Sequence, residues 1–211
     1  MSLGLGDKME VIGLFPIPVG IFKYDNEITK AQNIFINSRE KSYNVGNIKS
    51  NDTNILKSKE LISINSFITK SLEQYYEYMY NPEGKSKIKI TQSWLNWTEK
   101  GQYHHIHKHT NSFLSGVFYI DADEKQDRIF FQRDHQTAIT PHMGSYNVFT
   151  ADEWWIPVET GKLVIFPSTL SHSVQQLEDN KTRVSLAFNT FLYGDLGNEN
   201  SLSLLRINSK N

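Results

Sequence analysis

The sequence predicts a mainly β protein with helices gathered towards its N-terminal end, folded as a double-sheet jelly roll. Two observations carry this. After residue 85 the chain breaks into eight short β-like runs, most bounded by Gly, Pro, Asn or Asp, at the spacing of an all-β sandwich or barrel. Before that point, one long segment places its apolar residues at helical spacing. The length of 211 residues is that of one domain, large enough to bury roughly 70% of its unfolded surface.

Taken in order, residues 11–24 read as an opening strand, with turns at their Pro and Gly residues and β-branched and aromatic content favouring extended chain. Residues 27–42 and 55–80 read as helical. In the second, Leu61, Ile64, Ile68 and Leu72 recur at spacings of three and four with Phe67 beside them, so one face is apolar. Asn81-Pro82-Glu83-Gly84 ends that helix. The extended runs follow at 87–98, 112–121, 128–133, 144–149, 154–158, 162–166, 171–176 and 182–193. Helices backing one sheet of the roll would complete the layers. Residues 194–211 are mostly polar and read as a tail. The expected organisation is therefore one domain over 1–211: an N-terminal strand and supporting helices over 1–84, a jelly-roll core over 85–193, and the tail.

Composition removes several function classes. Lys plus Arg is 22 and Asp plus Glu 23, a formal net charge of −1, so no global field draws nucleic acid or an anionic membrane. The chain has no cysteine, which excludes disulfide scaffolds, zinc–thiolate sites, iron–sulfur clusters and cysteine nucleophiles together. A metal would have to be held by His, Asp, Glu or backbone oxygens. Residues 1–8 lack a signal-peptide pattern, and no stretch approaches ~18 apolar residues. The expectation is a cytoplasmic protein without a membrane partner.

Five of seven histidines carry the chemical signal: His104, His105, His107, His109 and His172. On an extended strand His105, His107 and His109 would share one face, with His104 pointing away. Neutral imidazole binds iron, zinc, copper and nickel, so His-X-His is a two-ligand unit. A polar, His-rich loop that takes up metal only adventitiously is the competing reading; a genuine site needs a third ligand from elsewhere. Asp179-Asn180 suits a two-residue hairpin loop, and that register would set His172 opposite Ala187, with Arg183, Ser185 and Asn189 on the same face. Arg183 would then stand about 13 Å along the strand, an offset suited to the far end of a small dicarboxylate held on a metal by its near end, because a guanidinium grips carboxylate bidentately. A three-residue loop would reverse the parity and turn Arg183 away. Taken singly, His172 also suits a half-buried histidine, and Arg183 an ion pair with Glu178 or Asp179.

Together these residues resemble a family. Gly101, then His107 and His109, then Ser115-Gly116-Val117-Phe118-Tyr119, then Gly161-Lys162-Leu163-Val164-Ile165-Phe166-Pro167, then His172, then Arg183-Val184-Ser185-Leu186-Ala187-Phe188-Asn189 is similar to the 2-oxoglutarate/Fe(II)-dependent dioxygenase superfamily. The likeness is to a sparsely characterised oxygenase branch with prolyl hydroxylases as distant relatives, and it spans roughly residues 88–193. It implies a distorted double-stranded β-helix (a cupin-like jelly roll) with Fe(II) held by His107, His109 and His172. It further implies that Arg183 grips the far carboxylate of the cosubstrate 2-oxoglutarate, with Ser185, Tyr119 and Trp97 also in the cosubstrate pocket. The implied activity is hydroxylation of an unidentified small-molecule or protein substrate by molecular oxygen, with decarboxylation of 2-oxoglutarate to succinate. Most of the superfamily carries Asp or Glu where His109 stands, so three neutral imidazoles leave this site one negative charge short. Asp121 or Asp123 could stand in as the carboxylate, but their spacing argues for a turn after the strand, so His109 is preferred. The alternatives are a non-redox metal-binding jelly roll with a ligand-binding or structural role, and a metal-dependent hydrolase or isomerase on the same scaffold.

Overall fold

The computed structural model describes residues 10–84, 86–134, 139 and 141–208. Twelve strands and two helices succeed one another among the described residues: β1 (Gly20–Lys23), α1 (Lys30–Asn37), β2 (Lys41–Tyr43), β3 (Ile48–Ser50), α2 (Ile62–Tyr80), β4 (Lys87–Thr98), β5 (His104–His107), β6 (Leu114–Asp121), β7 (Arg128–Gln132), β8 (Glu153–Pro157), β9 (Lys162–Pro167), β10 (Ser171–Val174), β11 (Arg183–Leu196) and β12 (Leu205–Ile207).

The strands form two sheets. The larger runs β1-β9-β6-β11-β4-β3-β2, with β12 paired to the far end of β11; the smaller runs β5-β10-β7-β8. Every ladder between named strands is antiparallel. Facing sheets of this kind are the jelly roll that the sequence predicts.

Two cores hold it together. The outer face of the large sheet buries Leu95, Trp97, Phe118, Leu186 and Phe188 against Ile64, Ile68 and Leu72 of α2. Between the sheets, Tyr119, Ile129, Phe131, Val164 and Phe166 fill one end. The other end is left as a cavity. Alternation along β4 and β11 therefore decides which residues meet the helices and which meet the cavity. No helix among the described residues is long and apolar enough to cross a membrane.

Several elements differ from expectation. Within residues 11–24 only Gly20–Lys23 pairs, with β9, because Pro16 and Pro18 have no N–H to give a ladder. Helix α1 is shorter than the expected 27–42. A capping box between Thr29 and Gln32 starts it, Ser38 closes it, and Lys41–Tyr43 pairs with β3 instead. Residues 55–61 form two 3-10 turns before α2 begins. The run 144–149 forms turns and no strand. From Gly194 the chain folds back rather than trailing away, Gly194–Leu196 pairing with Leu205–Ile207.

The hairpin expected at Asp179-Asn180 is absent. Strand β10 already has β5 on one side and β7 on the other, so no edge remains for β11, and the chain crosses to the large sheet. His172 and Ala187 thus face each other across the roll. The inward parity of Arg183, Ser185 and Ala187 survives, for a different reason: they occupy alternate positions on the inner face of β11.

Candidate metal centre

Strands β5 and β10 set His107 directly opposite His172. His109 follows β5 in a loop fixed by its backbone N–H, which donates to Ser168 O at 3.0 Å. The ligand-capable nitrogens of His107, His109 and His172 all lie within 4.8 Å of one another. Ring centroids are 4.3 Å apart for His107–His172 and 5.1 Å for His109–His172. His107 Nδ1 donates to His105 O at 2.8 Å, and His172 Nδ1 donates to Leu170 O at 3.0 Å. A carbonyl only accepts, so both rings carry their proton on Nδ1 and turn the Nε2 lone pair to the shared space.

Burial keeps these rings neutral. It pushes His172 down to about 3 and His109 down to about 4, with neighbouring imidazoles adding to the effect, and it lowers His107 as well. Neutral imidazole is the metal-binding form. Among the described residues this is the one cluster of three His, Asp or Glu side chains disposed to share a cation without a carboxylate. Asp121 lies at the end of β6 in an ion pair with Lys181 at 3.3 Å.

His104 and His105 exchange their expected directions. The pairs His172–His107 and Val174–His104 span two residues on β10 but three on β5, a bulge that turns His104 inward. His104 stacks on His107 at 4.4 Å and lines the cavity, and burial, followed by repulsion from His107, pushes it down to about 3. His105 turns outward, its Nδ1 donating to Val45 O at 3.4 Å.

From the triad the cavity runs over the inner face of β11. Ala187, Ser185 and Arg183 lie along its floor, flanked by Val117 and Tyr119 of β6 and by Trp94, Asn96 and Thr98 of β4. Arg183 closes the far end, only 6% exposed. Its Nη1 donates to Asp127 Oδ1 at 2.8 Å, while its Nη2 is buried with no partner. The counter-ion is thus neither Glu178 nor Asp179. Asp127 is further held by Asp123 N, which donates to its Oδ2 at 2.8 Å. Burial raises Tyr119 well above the ordinary phenol range, against the pull of Arg183, so it remains a neutral donor.

Trp97, placed in the cosubstrate pocket by the resemblance, lies elsewhere. It pairs with Val184 and points to the helix side of the sheet, 1% exposed, with Lys41 Nζ 4.2 Å from its ring centre. One step of strand alternation separates it from the cavity; the β4 aromatic that lines the cavity is Trp94, 5.9 Å from His109. Trp154 and Trp155 stand half-exposed on the edge strand β8, with Arg128 over the Trp155 ring at 4.5 Å.

Strand alternation in 87–98 could have found Trp94, Asn96 and Thr98 once its parity was known. Asn47 reaches the cavity on a hairpin, and Asp127 reaches Arg183 from a turn; neither carries a sequence signal for its place.

The comparisons with known proteins meet this geometry. Residues 92–189, from β4 to β11, match the family model described as "Putative 2OG-Fe(II) oxygenase", a span that contains all three imidazoles and Arg183. The matched span covers a little under half of the chain and is similar to that oxygenase family. Solved oxygenase structures share its fold at low identity. HygX from Streptomyces hygroscopicus, with nickel, 2-oxoglutarate and hygromycin B bound, has a TM-score of 0.59 at 8% identity, covering 82% of each chain. A 2OG-Fe(II) oxygenase family oxidoreductase from Burkholderia pseudomallei has a TM-score of 0.54 at 9% identity, covering 75% of this chain and 74% of that one. The non-heme alpha ketoglutarate dependent epimerase SnoN from nogalamycin biosynthesis has a TM-score of 0.54 at 12% identity, covering 77% and 70%. No curated protein matches the chain significantly.

Proposed function

We propose that the protein is a 2-oxoglutarate- and Fe(II)-dependent dioxygenase that hydroxylates its substrate while 2-oxoglutarate is decarboxylated to succinate. One observation carries the reading: three imidazoles with inward lone pairs stand at one end of a cavity whose other end is closed by a guanidinium with a free Nη2.

The residues present fit the cofactor and cosubstrate. His107, His109 and His172 would hold the Fe(II), and their three imidazole nitrogens are a donor set suited to it. Bound there, the iron supplies activation of oxygen, and the cosubstrate supplies the electrons that activation consumes. The chain's own contribution is orientation. A buried polar group without a partner costs about 1–3 kcal/mol, so Arg183 Nη2 marks where an anionic group completes the wall. Arg183 and Ala187 are four residues apart, about 13 Å of strand. With the long guanidinium side chain reaching inward, the remaining span suits a five-carbon dicarboxylate. Ala187 leaves room beside His172, and Ser185 and Tyr119 offer hydroxyl donors along the path. Phe131 and Phe166 pack against His172 and exclude water from that side. The family's fold also serves other outcomes, as the SnoN epimerase illustrates, and the reading here is hydroxylation.

The test is turnover. Iron-loaded protein should convert 2-oxoglutarate to succinate with oxygen uptake in the presence of a suitable substrate, and slowly without one. Arg183→Met should abolish this while metal stays bound. Metal binding without any 2-oxoglutarate consumption or binding would instead favour the non-redox metal-binding reading.

A further inference from the structure

The cavity wall holds two carboxamides with nothing to bind. Asn47 and Asn96 are 3% and 5% exposed, and both line the cavity that contains the imidazole triad and Arg183. Neither amide has a side-chain hydrogen-bond partner among the described residues, and both Oδ1 atoms are enclosed and unsatisfied. A native core rarely buries polar groups in this state unless a ligand completes them.

Their placement is built by the fold. Asn96 sits on β4 directly opposite Ser185 of β11 and Lys49 of β3. The pair Ile48–Trp97 then puts Asn47 beside Thr98, in the row that ends at Arg183. Asn47 is delivered by the β2–β3 hairpin, whose tip is stitched to the chain entering β5. Tyr103 N donates to Gly46 O at 2.9 Å, and Asn44 N donates to Asn47 O at 2.8 Å. Gly46 has φ +90, and a Cβ there would lie 2.6 Å from Tyr103 O, so this close approach requires glycine. The hairpin thereby closes the gap between the edges of the two sheets and seats Asn47 in the closure.

We infer that Asn47 and Asn96 are specificity-determining residues for the dicarboxylate, binding its oxygens from the flank opposite Tyr119. This rests on the reading of the cavity as a 2-oxoglutarate site. Arg183 shares its charge with Asp127 and offers one free nitrogen, whereas a carboxylate accepts several hydrogen bonds. A carboxamide adds N–H donors without adding charge, and rotation about its terminal bond presents either end to the ligand. Two neutral amides therefore complete the recognition that a single half-committed guanidinium leaves open.

The experiment is calorimetric titration of 2-oxoglutarate into protein loaded anaerobically with Zn(II) or Fe(II). Asn47→Leu and Asn96→Leu keep side-chain volume and should each weaken 2-oxoglutarate binding about ten-fold or more. Metal stoichiometry should be unchanged, and Asn47→Asp should weaken binding further through repulsion. Where leucine prevents folding, Asn47→Ser and Asn96→Ser carry the same expectation. Wild-type affinity retained within two-fold in both folded variants would overturn the inference and leave the proposed function standing. Failure of the metal-loaded wild type to bind 2-oxoglutarate would overturn both.

Discussion

Lowering the pH from 7 to 5 should destabilise the metal-free protein through its buried imidazoles. His104 and His172 are held down to about 3 and His109 to about 4, in each case mainly by burial, from an ordinary value of 6.5. In the unfolded chain they take up protons as the pH falls through 6.5; in the folded chain they stay neutral until far lower. The unfolded state thus binds more protons, and stability present above pH 6.5 is lost progressively towards pH 3–4. Each pH unit in that window costs about 1.4 kcal/mol per group, so pH 5 removes about 2 kcal/mol for each. Their mutual repulsion is shared, which brings the three together to roughly 4–6 kcal/mol, a large part of the ~5–15 kcal/mol by which domains are stable. The assay is urea unfolding of metal-free protein at pH 7, 6 and 5, with His172→Phe alongside. The wild-type midpoint should fall steeply, and the variant should show a shallower slope by about one group's share. A midpoint independent of pH over this range would refute the claim that these rings are buried and neutral.

Asp127→Asn should lower stability by about 3–5 kcal/mol in urea unfolding, because it leaves the buried Arg183 without its counter-ion. Trp97→Ala should cost about 3–5 kcal/mol of stability yet leave 2-oxoglutarate affinity of the folded protein unchanged, since the ring packs on the helix side; a selective loss of affinity would place it in the pocket after all. Gly116→Ala should destabilise by roughly 1–3 kcal/mol, its Cβ meeting Phe188 Cζ at 2.3 Å; thermal unfolding checks this, and an unchanged melting temperature would show that the ring moves aside freely.

Most of the strands after residue 85 were legible in the sequence because alternation and turn residues are local signals. The ordered set of His107, His109, His172 and Arg183 came instead from the family resemblance, the hairpin that set the expected direction of Arg183 being absent. Strand β4 appears with the bounds its sequence suggests, Lys87–Thr98. What escaped was non-local. The bulge that turns His104 inward depends on pairing with β10, which a period-two reading of His104–His109 cannot contain. Trp97 and Asn96 differ by one step, and the sequence does not say which face of β4 the helices will cover. The strands β2, β3 and β12 have three residues each, too short for periodicity to register, and one of these hairpins carries Asn47. The partner of Arg183 lies 56 residues away across a turn, whereas sequence proximity favoured Glu178 and Asp179.

The central claim is that three imidazoles hold one ferrous ion within reach of a keto acid anchored by Arg183. Anaerobic titration of 2-oxoglutarate into Fe(II)-loaded protein, followed in the visible region, tests it most directly. A charge-transfer band should grow to one equivalent of cosubstrate per chain, and it should vanish in Arg183→Met at the same concentration while the iron remains bound. A band that is absent from the wild type, or that persists undiminished without the guanidinium, would contradict the account.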